Sequence, residues 1–270
     1  MQTRAHSRPS CVLAAFGLSL AALAAPAARA EAVCSALTSA TATDTTISAA
    51  TAEPSGTFTT PDGHKIENLP GFCRVEGAIK PTPDSDIRFE LWLPERSAWN
   101  GRMLVVGNGG YVGEIRYDEL EPALRRGYAV ASADGGHHDT ADYRKEALDW
   151  GDGHPERIAD WAYRSIHVTA VAARSLIQLY EGQAASHAYY FGCSTGGGQG
   201  LMAAQRYPDD FDGIVAGAPG NNRTGLNMGF LWQASQNLAD PAGTIPPAKL
   251  PAINRAAIAA CSKADGVDQG

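Results

Sequence analysis

Gly192-Cys193-Ser194-Thr195-Gly196 is the stretch with the clearest chemical meaning. A serine flanked at two-residue spacing by glycines is suited to a tight turn that leaves the hydroxyl exposed. A side chain at either glycine would crowd that turn. With a helix starting just after it, the serine faces backbone N–H groups and the positive end of the helix dipole. The chemistry such a serine serves is nucleophilic acyl transfer, with Ser194 attacking a carbonyl. That chemistry also needs N–H donors where the oxyanion develops. One is expected from the residue after the nucleophile, Thr195. The other is expected from a Gly-rich loop after an earlier strand, where Asn108-Gly109-Gly110 stands. Gly110 is assigned as that second donor, with Gly109 next to it.

The elements around these residues must place them. Ala188-Tyr189-Tyr190-Phe191 reads as a strand leading into the serine turn, and Gly198 to Tyr207 as a helix leaving it, stopped by Pro208. Met103 to Gly107 and Tyr128 to Ala133 are short continuous apolar runs, the pattern of strands covered on both faces. Ile87 to Pro94 alternates apolar and charged residues and predicts a half-buried strand. Tyr117 to Arg126 predicts a helix ended by Gly127, and Ile158 to Tyr180 a long helix ended by Gly182. Ile214 to Gly217 predicts a further strand. Alternation of strand and helix is the signature of a parallel α/β sheet. Residues 35–60, rich in Thr, Ala and Ser, read as irregular or weakly β, and residues 221–260 as helical.

Residues 1–30 carry Arg4 and Arg8, an apolar run from Cys11 to Pro26, and Ala28-Arg29-Ala30, which together form a secretory signal pattern. The run is short of the roughly 20 apolar residues of a membrane span. The expectation is a secreted or periplasmic protein starting near Glu31, with no membrane partner. Of the 22 Lys and Arg, removal of Arg4, Arg8 and Arg29 leaves 19 against 29 Asp and Glu. Phosphate neutralisation needs clustered basic residues, so nucleic acid is not an expected partner. Cys34, Cys73, Cys193 and Cys261 remain in an oxidising compartment. Four cysteines allow three pairings, and spacing does not choose among them. Cys34 with Cys73 is favoured because it would tie down the mature N-terminus.

Gly192 to Gly197, then Gln199-Gly200-Leu201-Met202, Gln205-Arg206-Tyr207-Pro208 and Phe211 to Pro219 strongly resemble the tannase and feruloyl esterase family. Gly127 to Ser132 with Asp134, Gly136 and His137 resembles it too, as does Cys34 with Gly71-Phe72-Cys73. The resemblance spans residues 31 to 270. It implies an α/β-hydrolase core over 31–220 and, over 221–270, the start of a lid domain inserted late in the sheet. It implies a Ser-His-Asp triad and a disulfide joining Cys193 to a cysteine beside the catalytic histidine. In that fold the acid and the histidine follow the serine. No histidine follows Ser194 here, so the triad Asp and His and the partner of Cys193 are expected beyond Gly270.

His64, His137, His138, His154, His167 and His187 are the local histidines, and none is assigned as the base. His137 and Asp134 are read as shaping the site. Cys261 to Gly270 resembles the start of the family's lid calcium loop, with Asp265 and the Val267 carbonyl as ligands of a structural Ca²⁺. No cofactor is needed for the chemistry itself. The resemblance implies small-molecule substrates: aromatic carboxylic esters, either hydroxycinnamates on plant wall polysaccharides or galloyl esters of polyphenols. A general carboxylesterase is the second expectation. A fragment that binds phenolic ligands without turning them over is the third.

Overall fold

A computed structural model describes residues 32–138, 149–240 and 243–266. The predicted signal segment and Val267 lie outside the described residues. The chain divides into two compact units, one ending at Asn221 and one starting at Asn222.

The first unit is built on a seven-stranded sheet in which the sequence crosses over repeatedly. In chain order its strands are β1 (Thr45–Glu53), β4 (Phe72–Ile79), β5 (Ile87–Pro94), β6 (Arg102–Val106), β7 (Ala129–Ala133), β8 (His187–Cys193) and β9 (Gly213–Gly217). A separate pair, β2 (Gly56–Thr59) and β3 (Lys65–Leu69), forms a small hairpin. The spatial order is β1-β4-β5-β7-β6-β8-β9. β1, β4, β5 and β7 pair antiparallel, while β7, β6, β8 and β9 pair parallel. The parallel part needs crossovers, and helices α1 (Tyr117–Arg125), α3 (Ser165–Glu181) and α4 (Thr195–Arg206) supply them. A short helix, α2 (Pro155–Ala159), precedes α3.

The predicted strands and helices of this unit are present, with three differences. Residues 35–60 hold a nine-residue strand, β1, which runs against β4 from Thr45 opposite Ile79 to Glu53 opposite Phe72. Its β-branched threonines suit an edge position that only half buries them. Secondly, β5 is not half-buried. Leu91, Trp92 and Leu93 are all fully buried, so both faces of the strand are covered, and Glu90 is buried with them. Thirdly, the long predicted helix is interrupted by one π-helical turn, Asp160–Arg164, in which the Ser165 N–H bonds to the Asp160 carbonyl.

One face of the sheet packs on α3 through Ile166, Ala173, Leu176 and Ile177. The other packs on α1 through Leu120 and Leu124, with Trp92 at its centre. The rings of Phe58 and Phe72 lie 5.2 and 4.6 Å from that of Trp92. Glu90 receives bonds from Arg74 Nε at 2.9 Å, Trp92 Nε1 at 2.9 Å and Tyr117 Oη at 2.5 Å. Burial works against the Arg74 charge, but the Glu90 carboxylate beside it raises its pKa above the ordinary value.

Cys34 and Cys73 form a disulfide with Cα atoms 5.6 Å apart, as favoured from the sequence. It closes a loop of sequence separation 39, which the chain-entropy account values at about 4 kcal/mol. Toward β9 the cover thins, and Val215 is 57% exposed.

The second unit is helical, with α5 (Arg223–Ala239) and α6 (Leu250–Asp265). The Asn222 side chain caps α5 by accepting from the Gly225 N–H at 3.1 Å. Met228, Phe230, Leu231 and Trp232 of α5 are exposed. Among the described residues no helix is long and apolar enough to cross a membrane.

Candidate active site

β8 ends at Cys193 and α4 begins at Thr195, so Ser194 alone makes the turn between them. It does so at φ 59°, ψ −113°, a conformation that costs a non-glycine residue on the order of 1–3 kcal/mol. The surrounding backbone holds it there. The Ser194 N–H donates to the Gly217 carbonyl at 2.9 Å. Its own carbonyl accepts from Gly198 at 3.0 Å and from Gly220 at 3.1 Å. The flanking glycines are required by proximity. A Cβ at Gly192 would stand 2.5 Å from the Gly196 carbonyl oxygen, and one at Gly197 would collide with the Gly217 carbonyl. The Ser194 side chain remains exposed at the head of α4.

Beneath the turn, the buried Tyr190 Oη donates to the Gly196 carbonyl at 2.7 Å. Burial raises its pKa, so the hydroxyl stays protonated and keeps donating.

The loop after β6 lies directly against this turn. The Gly196 N–H donates to the Asn108 carbonyl at 2.8 Å. The Thr195 hydroxyl donates to the Gly110 carbonyl at 2.6 Å. Gly110 itself has φ +54°, a left-handed value that suits glycine. Ser194, Thr195 and Gly110, predicted as one constellation, are therefore brought together. The loop's position is further tied by Asn108, which is fully buried, and by Gln199 in the second turn of α4, also buried. Sequence reasoning assigned neither a role. Gln199 stood in a quoted motif and Asn108 in a Gly-rich turn, but nothing local marks them as a pair.

The histidines are engaged elsewhere. His137 is buried, stacks on Trp150 at 4.0 Å and has Nε2 2.8 Å from the Tyr111 carbonyl. It thus lines the outer side of the Gly110 loop. His138 sits between two carboxylates, with Nδ1 on Asp134 and Nε2 3.1 Å from Asp86. Burial disfavours its charge, but Asp134 and Asp86 outweigh that and raise its pKa. Asp134 is buried at the end of β7, and burial raises its own pKa. It also accepts from the backbone N–H groups of Arg88 and Gly136, so its work is to hold that loop. His154 pairs with Asp84, His167 with Asp210, and His187 with Ser186. None of these bonds is to Ser194.

Cys193 is a free, exposed thiol beside the turn. Asp265 is the last residue of α6, and Gly266 takes the left-handed position after it. Residues 261–265 are helical, and Val267 lies outside the described residues. Among the described residues no three His, Cys, Asp or Glu side chains converge to hold a metal.

Residues 73–270 match the family described as tannase and feruloyl esterase. An uncharacterized esterase of Xanthomonas campestris pv. campestris is 42% identical over 243 residues, which is 90% of this chain and 41% of that protein. A probable feruloyl esterase B-2 of Neosartorya fischeri is 35% identical over 80% of this chain and 41% of its own length. The crystal structure of feruloyl esterase B from Aspergillus oryzae superposes with TM-score 0.61 at 33% identity, covering 70% of this chain and 37% of that one. A tannin acyl hydrolase from Aspergillus niger superposes with TM-score 0.69 at 23% identity over 88% of this chain and 45% of that one, a likeness of fold. The chain thus spans about two-fifths of the length of these curated relatives, 41% in both cases.

Proposed function

The chain belongs to the tannase and feruloyl esterase family and has its α/β-hydrolase fold, and from that premise we propose that it carries the nucleophile and oxyanion donors of a secreted serine esterase acting on aromatic carboxylic esters. The observation that supports this most is the strained, exposed Ser194 at the head of α4, with the Gly110 loop bonded to the next residue. In this reading Ser194 Oγ loses its proton to a general base and attacks the ester carbonyl. The N–H groups of Thr195 and Gly110 hold the oxyanion of the tetrahedral intermediate. The alcohol or phenol leaves with the proton, and water then releases the acid from the acyl-enzyme.

The base and its carboxylate partner belong, on this reading, to the portion of the relatives that the chain does not span. The same portion would supply the cysteine that pairs with the exposed Cys193. Residues 222–270 would open the lid that selects the acyl group. The names of the relatives, feruloyl esterase and tannin acyl hydrolase, favour an aromatic acyl group over a general carboxylesterase. For export, the N-terminus of the mature protein would begin near Glu31.

The test is hydrolysis of methyl ferulate and methyl gallate against methyl butyrate by the enzyme in its full encoded length, with and without Ser194→Ala. Loss of aromatic ester hydrolysis by about 10³-fold or more is expected for the variant. Equal rates on all three esters would move the reading to a general carboxylesterase. Binding of phenolics with no labelling by a fluorophosphonate would reduce it to a binding protein.

A further inference from the structure

Asn108 and Gln199 are 91 residues apart in sequence, yet they form a reciprocal amide pair. The Asn108 N–H donates to Gln199 Oε1 at 3.1 Å, and Gln199 Nε2 donates to Asn108 Oδ1 at 3.2 Å. Gln199 Nε2 gives its second hydrogen to the Trp161 carbonyl at 2.8 Å. Asn108 Nδ2 donates to the Ala133 carbonyl at 2.7 Å and to that of Glu114 at 3.4 Å. Four of the bonds have a backbone partner that settles their direction, because an N–H can only donate and a carbonyl can only accept; the two amides so oriented leave Gln199 Nε2 to donate to Asn108 Oδ1. Both hydrogens of each amide group are used. The pair is 0% and 2% exposed, a site where a lost bond leaves a buried polar group unpaired.

What the pair joins gives it meaning. Asn108 begins the loop that carries Gly110. Gln199 lies one helical turn after Thr195 and on the same helix. Ala133 ends β7, and Trp161 lies in the π-helical turn. Resting on the reading of Ser194 as nucleophile, we propose that Gln199 and Asn108 are positioning residues that fix the oxyanion donor of Gly110 relative to Ser194 and Thr195. Neither touches the substrate. Their effect is on the distance between the two donors, which matters when charge develops on the carbonyl oxygen and little before that. Loss of the pair is therefore read in kcat more than in KM.

The experiment uses the enzyme in its full encoded length, with active sites counted by fluorophosphonate titration so that unfolded molecules drop out. Gln199→Met keeps the volume and removes all three bonds. It is expected to lower kcat per titrated site by about 10²-fold and to leave KM within about threefold.

Gln199→Glu is the second variant. Its carboxyl still accepts from the Asn108 N–H. Its other oxygen meets the Asn108 Oδ1 and Trp161 carbonyl acceptors, and needs a proton to bond either. The ratio of its kcat to that of the parent enzyme is expected to fall as pH rises. A group that only stabilises the fold would leave that ratio, per titrated site, flat with pH. A flat ratio for Gln199→Glu, or a Gln199→Met kcat within about twofold of the parent, overturns the positioning role alone. Failure of the parent's Ser194 to titrate overturns the esterase reading and this inference with it.

Discussion

The antiparallel margin of the sheet and the parallel part around Ser194 are held together in different ways. At the margin, β4 and β5 are locked by side chains: the Cys34–Cys73 disulfide, the Arg74–Glu90 ion pair and the Phe58, Phe72 and Trp92 rings. Around Ser194 the contact is backbone on backbone, with the Tyr190, Thr195, Asn108 and Gln199 side chains bonded onto it. Gly192, Gly196 and Gly197 let β8, α4, β9 and the β6 loop approach so closely that no Cβ fits without movement. Side chains at the margin can be exchanged with a graded loss of stability. Around Ser194 there is no slack, so a change is expected to act on geometry and hence on rate.

Ser194→Gly should separate the two effects most widely. It removes the nucleophile, for a loss of about 10³-fold or more in kcat, while relieving the positive φ and raising stability by about 1 kcal/mol. Hydrolysis assays and denaturant midpoints on the same sample check both. A drop in stability would mean that the turn is not strained.

At the margin, Arg74→Met leaves a buried carboxylate with only the Trp92 and Tyr117 donors. A loss of about 3 kcal/mol in unfolding free energy is expected, the low end for a broken buried pair because the Arg74 side chain keeps 12% of its exposure. Its kcat per active site should not change. If it does, the two regions are coupled and the comparison fails.

Gly197→Ala pushes a methyl group onto the Gly217 carbonyl beneath the turn. A fall of about 10²-fold in kcat per site is expected from the displaced serine. An unchanged rate would show that the region around Ser194 has slack after all.

The smallest effect concerns Glu181, the last residue of α3, whose pKa burial pushes up to about 7 from 4.5 against a partial opposing pull from Arg96. The folded state holds this proton more tightly than the unfolded chain does. Stability is therefore unaffected well below pH 4.5, falls as pH rises toward 7, and levels off above it. Glu181→Gln should remove that loss, raising Tm above pH 7 by on the order of 1–2 °C and leaving it unchanged near pH 4. A difference that grows toward low pH would reverse the assignment.

What could be read from sequence follows the same division. The serine turn, its flanking strand and helix, and the Gly110 loop were legible because each is written in contiguous residues. Gly182 and Gly127 stopped their helices as expected, both with left-handed φ. β5 was misread because its alternation of charged and apolar residues looks half-buried. Glu90 is instead inside, neutralised by Arg74 from the neighbouring strand, which no local pattern displays. The Asn108–Gln199 pair is invisible for the same reason, as its members are 91 residues apart. At the other end, the resemblance of Cys261 to Gly270 to a calcium loop rests on Asp265 and Val267, of which only Asp265 lies among the described residues. The run of good helix formers before it carries α6 through to Asp265, and the Gly266 stop signal decides where it ends.

The π-helical turn at Asp160–Arg164 also sets the angular register between α2 and α3. Its i→i+5 bonding takes in one more residue than an α-helical turn does. Deleting a single residue there would make α2 and α3 one regular helix and rotate everything on one side of the join by about 100°. The Trp161 carbonyl that now receives Gln199 would then point elsewhere. A lineage that lost this residue would keep its helix and its nucleophile, and would have to find another way to hold the loop across from it.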